Sequence, residues 1–306
     1  MVEYKLYSRY SCIKKVRKMT ENEKNSESES GWLAKTSYAL FDVGNSAVGA
    51  MHATFIFAVY FASTVAPEHG TSYWGYTTGA AALVVAILGP ILGGLADSRA
   101  QRKLFLGAVV FIGVVATTIL WKVEPNESFI WFALVFSFFS ILANELMFVF
   151  YNALLPSVAS KENMGRISGI GWAVGYFGAI VALVIALAVF IMPEKAPFGL
   201  DKDSSEHVRA PMVLAGIWLL IFSLPLFFFV REGSAASQLS KPWQIISTGW
   251  AEIGKIPGLR RFLIARMLYV DGLTVVFAFI GIFAAKVFGC LLYTSPSPRD
   301  SCAARK

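Results

Sequence analysis

Charge is scarce in this chain. Of its 306 residues only 15% are Asp, Glu, Lys or Arg, while 56% are hydrophobic. An ordinary soluble domain carries about 25% charged residues, so the shortage excludes a water-solvated fold and makes lipid the solvent. Cysteine is nearly absent too. Cys12, Cys290 and Cys302 are odd in number, far apart and without ligand spacing, which argues against a disulfide framework and a zinc site, so no metal and no cofactor are expected. No phosphate loop, HExxH pair or nucleophile elbow occurs, and no enzymatic activity is expected. Nor is there the alternating polarity of transmembrane strands, which excludes a barrel. A cleavable signal peptide is missing as well: the first 36 residues are polar, and the apolar run after them is too long and too interrupted by polar groups.

What the chain does have is apolar runs, at 37–64, 72–95, 104–123, 128–156, 167–192, 210–230 and 262–289. Each reaches the ~20 residues that a helix needs to cross the hydrocarbon core. The expected fold is therefore all-α, a polytopic helical membrane protein with seven spans. The net charge of +7 would suggest nucleic acid in a soluble protein, but here the placement of the cations decides, and no nucleic-acid partner is expected. Eighteen Lys and Arg residues lie before the first span or in the even-numbered connections, while the odd-numbered ones hold only Lys122, Lys195, Lys202 and Arg209. The positive-inside rule then puts the N-terminus in the cytoplasm.

Residues 1–36, rich in Lys, Glu and Ser, read as a disordered cytoplasmic tail. Residues 37–230 form six spans, 231–261 a cytoplasmic connection, and 262–289 the seventh span. Within the connection, Trp243, Ile245, Ile246, Trp250 and Ile253 approximate a helical stripe; lying in the interface and packing as a loop helix both explain it. Residues 290–306 break with everything before them. They read as a non-native end on a chain cut early in its second half, with a natural seven-span protein as the alternative.

An ionisable group inside a span costs ~2.5–3.5 kcal/mol at the helix centre on insertion scales and so calls for a reason. The first span has Asp42 and His52, the fourth Glu145, the seventh Arg266, Asp271 and Lys286; the others have essentially none away from their ends. Polar helices thus recur every third span, the pattern of inverted three-helix repeats whose first helices line a central cavity. Asp42, Asn45, Gly49 and His52 fall at helical spacing and are expected on one face. Asn144, Glu145, Phe148, Tyr151 and Asn152 do the same in the fourth span, mixing donors, acceptors and an aromatic as a small polar ligand requires. The competing explanation is that these groups bond one another to lock the helices; for His52 that means a satisfied packing histidine. Lys286 is expected to snorkel to the far interface, and Arg266 to pair with Asp271 or to snorkel the other way. Gly171 and Gly175 make a GxxxG pair suited to close packing, and Gly89-Pro90 marks a bend.

Between the second and third runs lies Gly93 to Lys103, with Asp97, Arg99 and Arg102. The glycines suit close helix approach at a turn, the acid a cap or an ion pair, and the cations a cytoplasmic loop. A short loop obeying the charge rule accounts for the cations but not for the glycines and Asp97.

That segment, with Gly93, Leu95, Ala96, Asp97, Arg102 and Lys103 in place, resembles the loop between spans two and three of the major facilitator superfamily, a conformational hinge; Ser98, Ala100 and Gln101 depart from the common pattern. Tyr38-Ala39-Leu40-Phe41-Asp42-Val43-Gly44-Asn45-Ser46-Ala47 looks like the Y-D-W-A-N-S-A signature of its vacuole-effluxer-like branch, the autophagy-related amino-acid exporters, with Phe41, Val43 and Gly44 departing. Phe150 to Pro156, Gly165 to Trp172 and Arg266 to Gly272 are similar to further stretches of that branch. The resemblance implies a six-helix N-terminal bundle plus the opening helix of a truncated second bundle. It also implies a secondary transporter working by alternating access in a plasma or vacuole-like membrane. The expected partner is a small polar solute of the amino-acid class, with protons as candidate coupling ion. Asp42, Asn45, His52, Asn144, Glu145, Tyr151, Asn152 and Asp271 are the candidate binding and coupling residues. A non-transporting receptor or regulatory membrane protein is the alternative, although it has no use for the Gly93 to Lys103 hinge.

Overall fold

In the computed structural model, residues 31–195, 197–233 and 253–288 are described. Among the described residues, seven apolar helices are long enough to cross a membrane: α1 Trp32–Val65, α2 Gly70–Arg99, α3 Arg102–Lys122, α4 Glu127–Val158, α5 Met164–Ile191, α6 Glu206–Phe229 and α7 Leu259–Phe288. Of the expected tail, residues 1–36, Trp32 to Thr36 are helical. Its residues 1–30, the stripe at Trp243 to Trp250, the end at 290–306 and all three cysteines lie outside the described residues.

Lipid gives apolar side chains little reason to leave it, so packing between spans falls to small residues and interhelical hydrogen bonds. α1 is the hub, lying chiefly against α5 and α6; α3 joins α6 to α4, and α4 carries α2. The α1–α5 seam explains the glycines of α5. A Cβ on Gly178 would strike Val43, and one on Gly175 would sit 2.9 Å from the carboxyl carbon of Asp42. Gly44 of α1 does the same toward α6, where a Cβ would come 3.2 Å from the Leu219 backbone.

α1 is not a uniform helix. After Val48 it widens into π turns at Gly49–Phe55 and again at Phe61–Val65. Wider turns leave carbonyls short of their usual partners, and the Thr54 hydroxyl donates to one of them, Gly49 O, at 3.2 Å. The widening rotates everything beyond Gly49 relative to the turns before it. α2, by contrast, runs unbroken through Pro90.

Successive helices alternate in direction, so the ends near Arg99–Arg102, Val158–Met164 and Phe229 share one end of the bundle, here the basic end. There the Lys103 ammonium donates to Phe227 O (2.6 Å) and Val230 O (2.8 Å), closing the C-terminus of α6. Glu232 accepts from the Lys103 backbone N–H, occupying a free donor at the start of α3. At the opposite end Arg209, only 5% exposed, donates to Trp121 O and Ser204 O and lies over the Trp121 ring at 5.3 Å. The sequence reading left Arg209 in a connection; its bonds place it inside the first turns of α6, where it ties α6 to α3.

α7 is barely docked. Only Gly281, Ile282 and Ala285 are buried, with Gly281 against the Thr54 carbonyl of α1, and Lys286 donates to Thr71 at 2.8 Å. Phe279 reaches Gly75 of α2. These contacts lie at the opposite end, while Arg260 to Phe277 are exposed. The space between α7 and the bundle is therefore pinched at the opposite end and widens toward the basic one.

Candidate functional site

That space is a cavity of about 580 Å³. α1 lines it with Asp42, Asn45, Ser46 and Thr54, α2 with Thr78, α4 with Asn144, Glu145 and Phe148, α5 with Trp172 and Tyr176, and α7 with Asp271, Thr274 and Phe277. The residues that carry the cost of a polar group in lipid on α1, α4 and α7 thus converge on one void.

Asp42 is 2% exposed, and its side-chain partner is Ser46, one turn on, whose hydroxyl reaches Oδ1 at 3.5 Å. Gly175 forms the wall beside it, and a side chain there would occupy the carboxylate's seat. One turn further, the Asn144 amide donates to both Asn45 O (3.1 Å) and Asn45 Oδ1 (2.8 Å), joining α4 to α1. The Asn45 side-chain nitrogen is left without a partner although the residue is 1% exposed. Glu145 and Asp271, both exposed, face the same void from α4 and α7. No ion pair joins Arg266 to Asp271 among the described residues, and Arg266 is exposed.

Three expected members stand elsewhere. His52 is not on the face of Asp42 and Asn45, because the π turns from Gly49 rotate it away. Its Nε2 bonds Ser137 at 3.1 Å and its Nδ1 bonds Ser140 at 3.2 Å, while Ser140 bonds Thr117 of α3 at 2.7 Å. With Phe57 and Trp74 against its ring, His52 is a saturated joint between α1, α4 and α3. Tyr151 also leaves the cavity: it is 2% exposed, stacks on Tyr38 with ring centres 4.1 Å apart and donates to Tyr38 O at 3.1 Å. Asn152 is exposed outside the lining. The expected five-residue face of α4 therefore divides, with Asn144, Glu145 and Phe148 facing the cavity.

The Gly93 to Lys103 segment is corrected in its geometry. Gly93 to Arg99 are the last turns of α2, and the reversal is made by Ala100 (φ 50°) and Gln101. Gly93 faces Val149 of α4 rather than α3, so its smallness serves the α2–α4 contact. Asp97 does not cap α3; its carboxylate accepts from the Arg102 guanidinium across the turn. Arg99 is exposed.

Sequence reasoning passed over Ser46, Thr54, Trp172 and Tyr176 as lining residues. Trp172 and Tyr176 are four positions apart on α5 with rings meeting edge to face at 5.7 Å, a spacing that was readable. A smaller cleft at the opposite end is lined by Trp121, Lys122, Glu124, Phe129, Glu206 and Arg209. Among the described residues no group of three His, Cys, Asp or Glu could hold a metal ion.

Comparison with known proteins gives a consistent picture. The family described as vacuole effluxer Atg22 like matches residues 57–166 and 161–292. The MFS-type transporter YxiO of Bacillus subtilis (strain 168) is 26% identical over 250 residues, 78% of this chain and 57% of its own. An uncharacterized protein of Aquifex aeolicus is 24% identical over 208 residues, 68% of this chain and 48% of its own. Autophagy-related protein 22 of Pichia angusta is 25% identical over 179 residues, 53% of this chain and 32% of its own. The chain thus spans about half the length of the first two relatives. Among solved structures, the inward-open xylose transporter XylE from E. coli aligns over 78% of this chain and 55% of its own, at 15% identity and a TM-score of 0.44.

Proposed function

The chain belongs to the vacuole effluxer Atg22-like family, and from that premise we propose that it supplies the first six-helix bundle and the opening helix of the second in a secondary transporter. The cargo is a small polar solute of the amino-acid class, and the path is the cavity between α1, α4, α5 and α7. The observation that carries this reading is the convergence of Asp42, Asn45, Asn144, Glu145 and Asp271 on one void while His52 and Tyr151 of the same helices are bonded away from it.

In this reading Asn45 and Asn144 orient the solute, Glu145 and Asp271 meet it from opposite walls, and Asp42 changes protonation during the cycle, coupling flux to protons. Alternating access follows from the asymmetric docking of α7. Its contacts with Thr54, Thr71 and Gly75 close one end, and breaking them while the basic end closes exposes the cavity to the other side. In this reading the basic end faces the cytoplasm, which the surplus of Lys and Arg there supports. Asp97 with Arg102, and Lys103 on the end of α6, hold the turn that such a movement loads.

The test is counterflow of an amino-acid panel into proteoliposomes carrying the chain, with and without a proton gradient. Solute exchange above empty vesicles that responds to the gradient is the expected result. A chain that inserts and melts cooperatively yet neither exchanges nor binds any solute of the panel overturns the reading in favour of a non-transporting membrane protein.

A further inference from the structure

The charge of the cavity lining is one-sided. Asp42, Glu145 and Asp271 line it, and no Lys, Arg or His does. The basic groups nearest to hand are engaged or elsewhere: Arg102 on Asp97, Lys103 on the end of α6, Lys286 on Thr71, Arg209 on Trp121 and Ser204, while Arg266 is exposed and outside the lining. Asp42, 2% exposed, is a carboxylate held out of water without a cation, which is costly, and Glu145 and Asp271 add negative charge to the same void, so the lining is built to be completed by positive charge from outside the chain. A second observation points to an organic solute rather than to a bare ion. The Asn45 amide nitrogen, on a residue 1% exposed in the same wall, is a donor with no acceptor, and a cation alone cannot satisfy a donor. The rings of Phe148, Trp172, Tyr176 and Phe277 complete the lining with the apolar and π surface that an alkyl stem ending in a cation favours.

We propose that the cavity selects a basic amino acid, a solute with a side-chain ammonium or guanidinium and a backbone carboxylate, over neutral or acidic ones. The cationic groups lie between Glu145 and Asp271 and toward Asp42, the carboxylate accepts from Asn45, and the stem lies along Trp172 and Tyr176. A void of about 580 Å³ holds a molecule of that size. This rests on the reading of the cavity as the solute path and adds the sign of the cargo.

The experiment is binding of L-lysine, L-norleucine and L-glutamate to the purified chain in nanodiscs, followed by radioligand displacement. Norleucine matches lysine without the terminal ammonium. Lysine is expected to bind about tenfold more tightly than norleucine, the size of one charge-assisted hydrogen bond, and glutamate more weakly than either. Glu145→Gln and Asp271→Asn, both at exposed cavity positions, bring lysine toward the norleucine value with the melting temperature unchanged. Norleucine binding as tightly as lysine, unaffected by either substitution, overturns the charge selection and leaves the solute path standing. Absence of binding by all three probes to well-folded protein overturns the path and the selection together.

Discussion

Asn45 and His52 sit on the same helix seven positions apart, a separation that stacks side chains on one face of a regular α-helix. Asn45 lines the void with its amide nitrogen unpaired, whereas His52 is sealed among Ser137, Ser140, Phe57 and Trp74 with both ring nitrogens bonded. What separates them is the π segment that begins at Gly49. The difference teaches that cost in lipid identifies which residues need a reason, while partners decide which reason it is. A polar group whose bonds all close within the protein is a joint; one left open in a cavity is available to a ligand.

Substitutions on the two sides of that divide sharpen it, and the largest effect on stability belongs to neither residue but to the seam that holds Asp42 in place. Gly178→Val drives a side chain into Val43, and overpacking of this kind costs ~1–3 kcal/mol. Thermal denaturation in detergent is expected to show a fall of that size, with exchange lost because the Asp42 wall moves. His52→Leu keeps the bulk but leaves Ser137 without its partner, about 1 kcal/mol, and lowers the melting temperature while solute binding stays at the parent value. Asn144→Ala removes one interhelical amide and costs only ~0.6 kcal/mol, yet it weakens solute binding because the Asn45–Asn144 pair lines the cavity. Equal binding loss in the His52 and Asn144 variants breaks the distinction.

The smallest effect lies outside the membrane. The Asp201 carboxylate accepts from the Asp203 and Ser204 backbone N–H groups, which hold its pKa below the ordinary carboxylate range. A lowered folded pKa contributes order to the turn that is fully present above the ordinary value and lost as pH falls through the folded value. Hydrogen exchange at Asp203 and Ser204 should therefore lose its protection on acidification through that window, and Asp201→Asn should remove the pH dependence.

The seven spans were legible because lipid demands long uninterrupted apolar runs, and only their ends shifted: α1 begins at Trp32 and α7 at Leu259. Asp42, Asn45, Asn144, Glu145 and Asp271 were legible from the cost of polar groups in lipid, and they meet in one cavity. His52 was misplaced because a π turn leaves no mark in periodicity; in the fold it shows as the widened turns from Gly49, with Thr54 serving a freed carbonyl. Tyr151 was misplaced because an aromatic ring serves equally as a ligand contact or as a packing plate, and only the stack on Tyr38 decides. Glu232 and Arg209 were illegible because their partners, Lys103, Trp121 and Ser204, depend on which helix ends share a side of the bundle.

The most direct measurement compares solute exchange and melting temperature in Asp42→Asn and His52→Leu proteoliposomes prepared side by side. The account predicts that Asp42→Asn abolishes gradient-responsive exchange with its melting temperature unchanged, and that His52→Leu lowers the melting temperature while the remaining folded protein exchanges at the parent rate. Parent-like exchange in Asp42→Asn, or loss of exchange without loss of stability in His52→Leu, would contradict it.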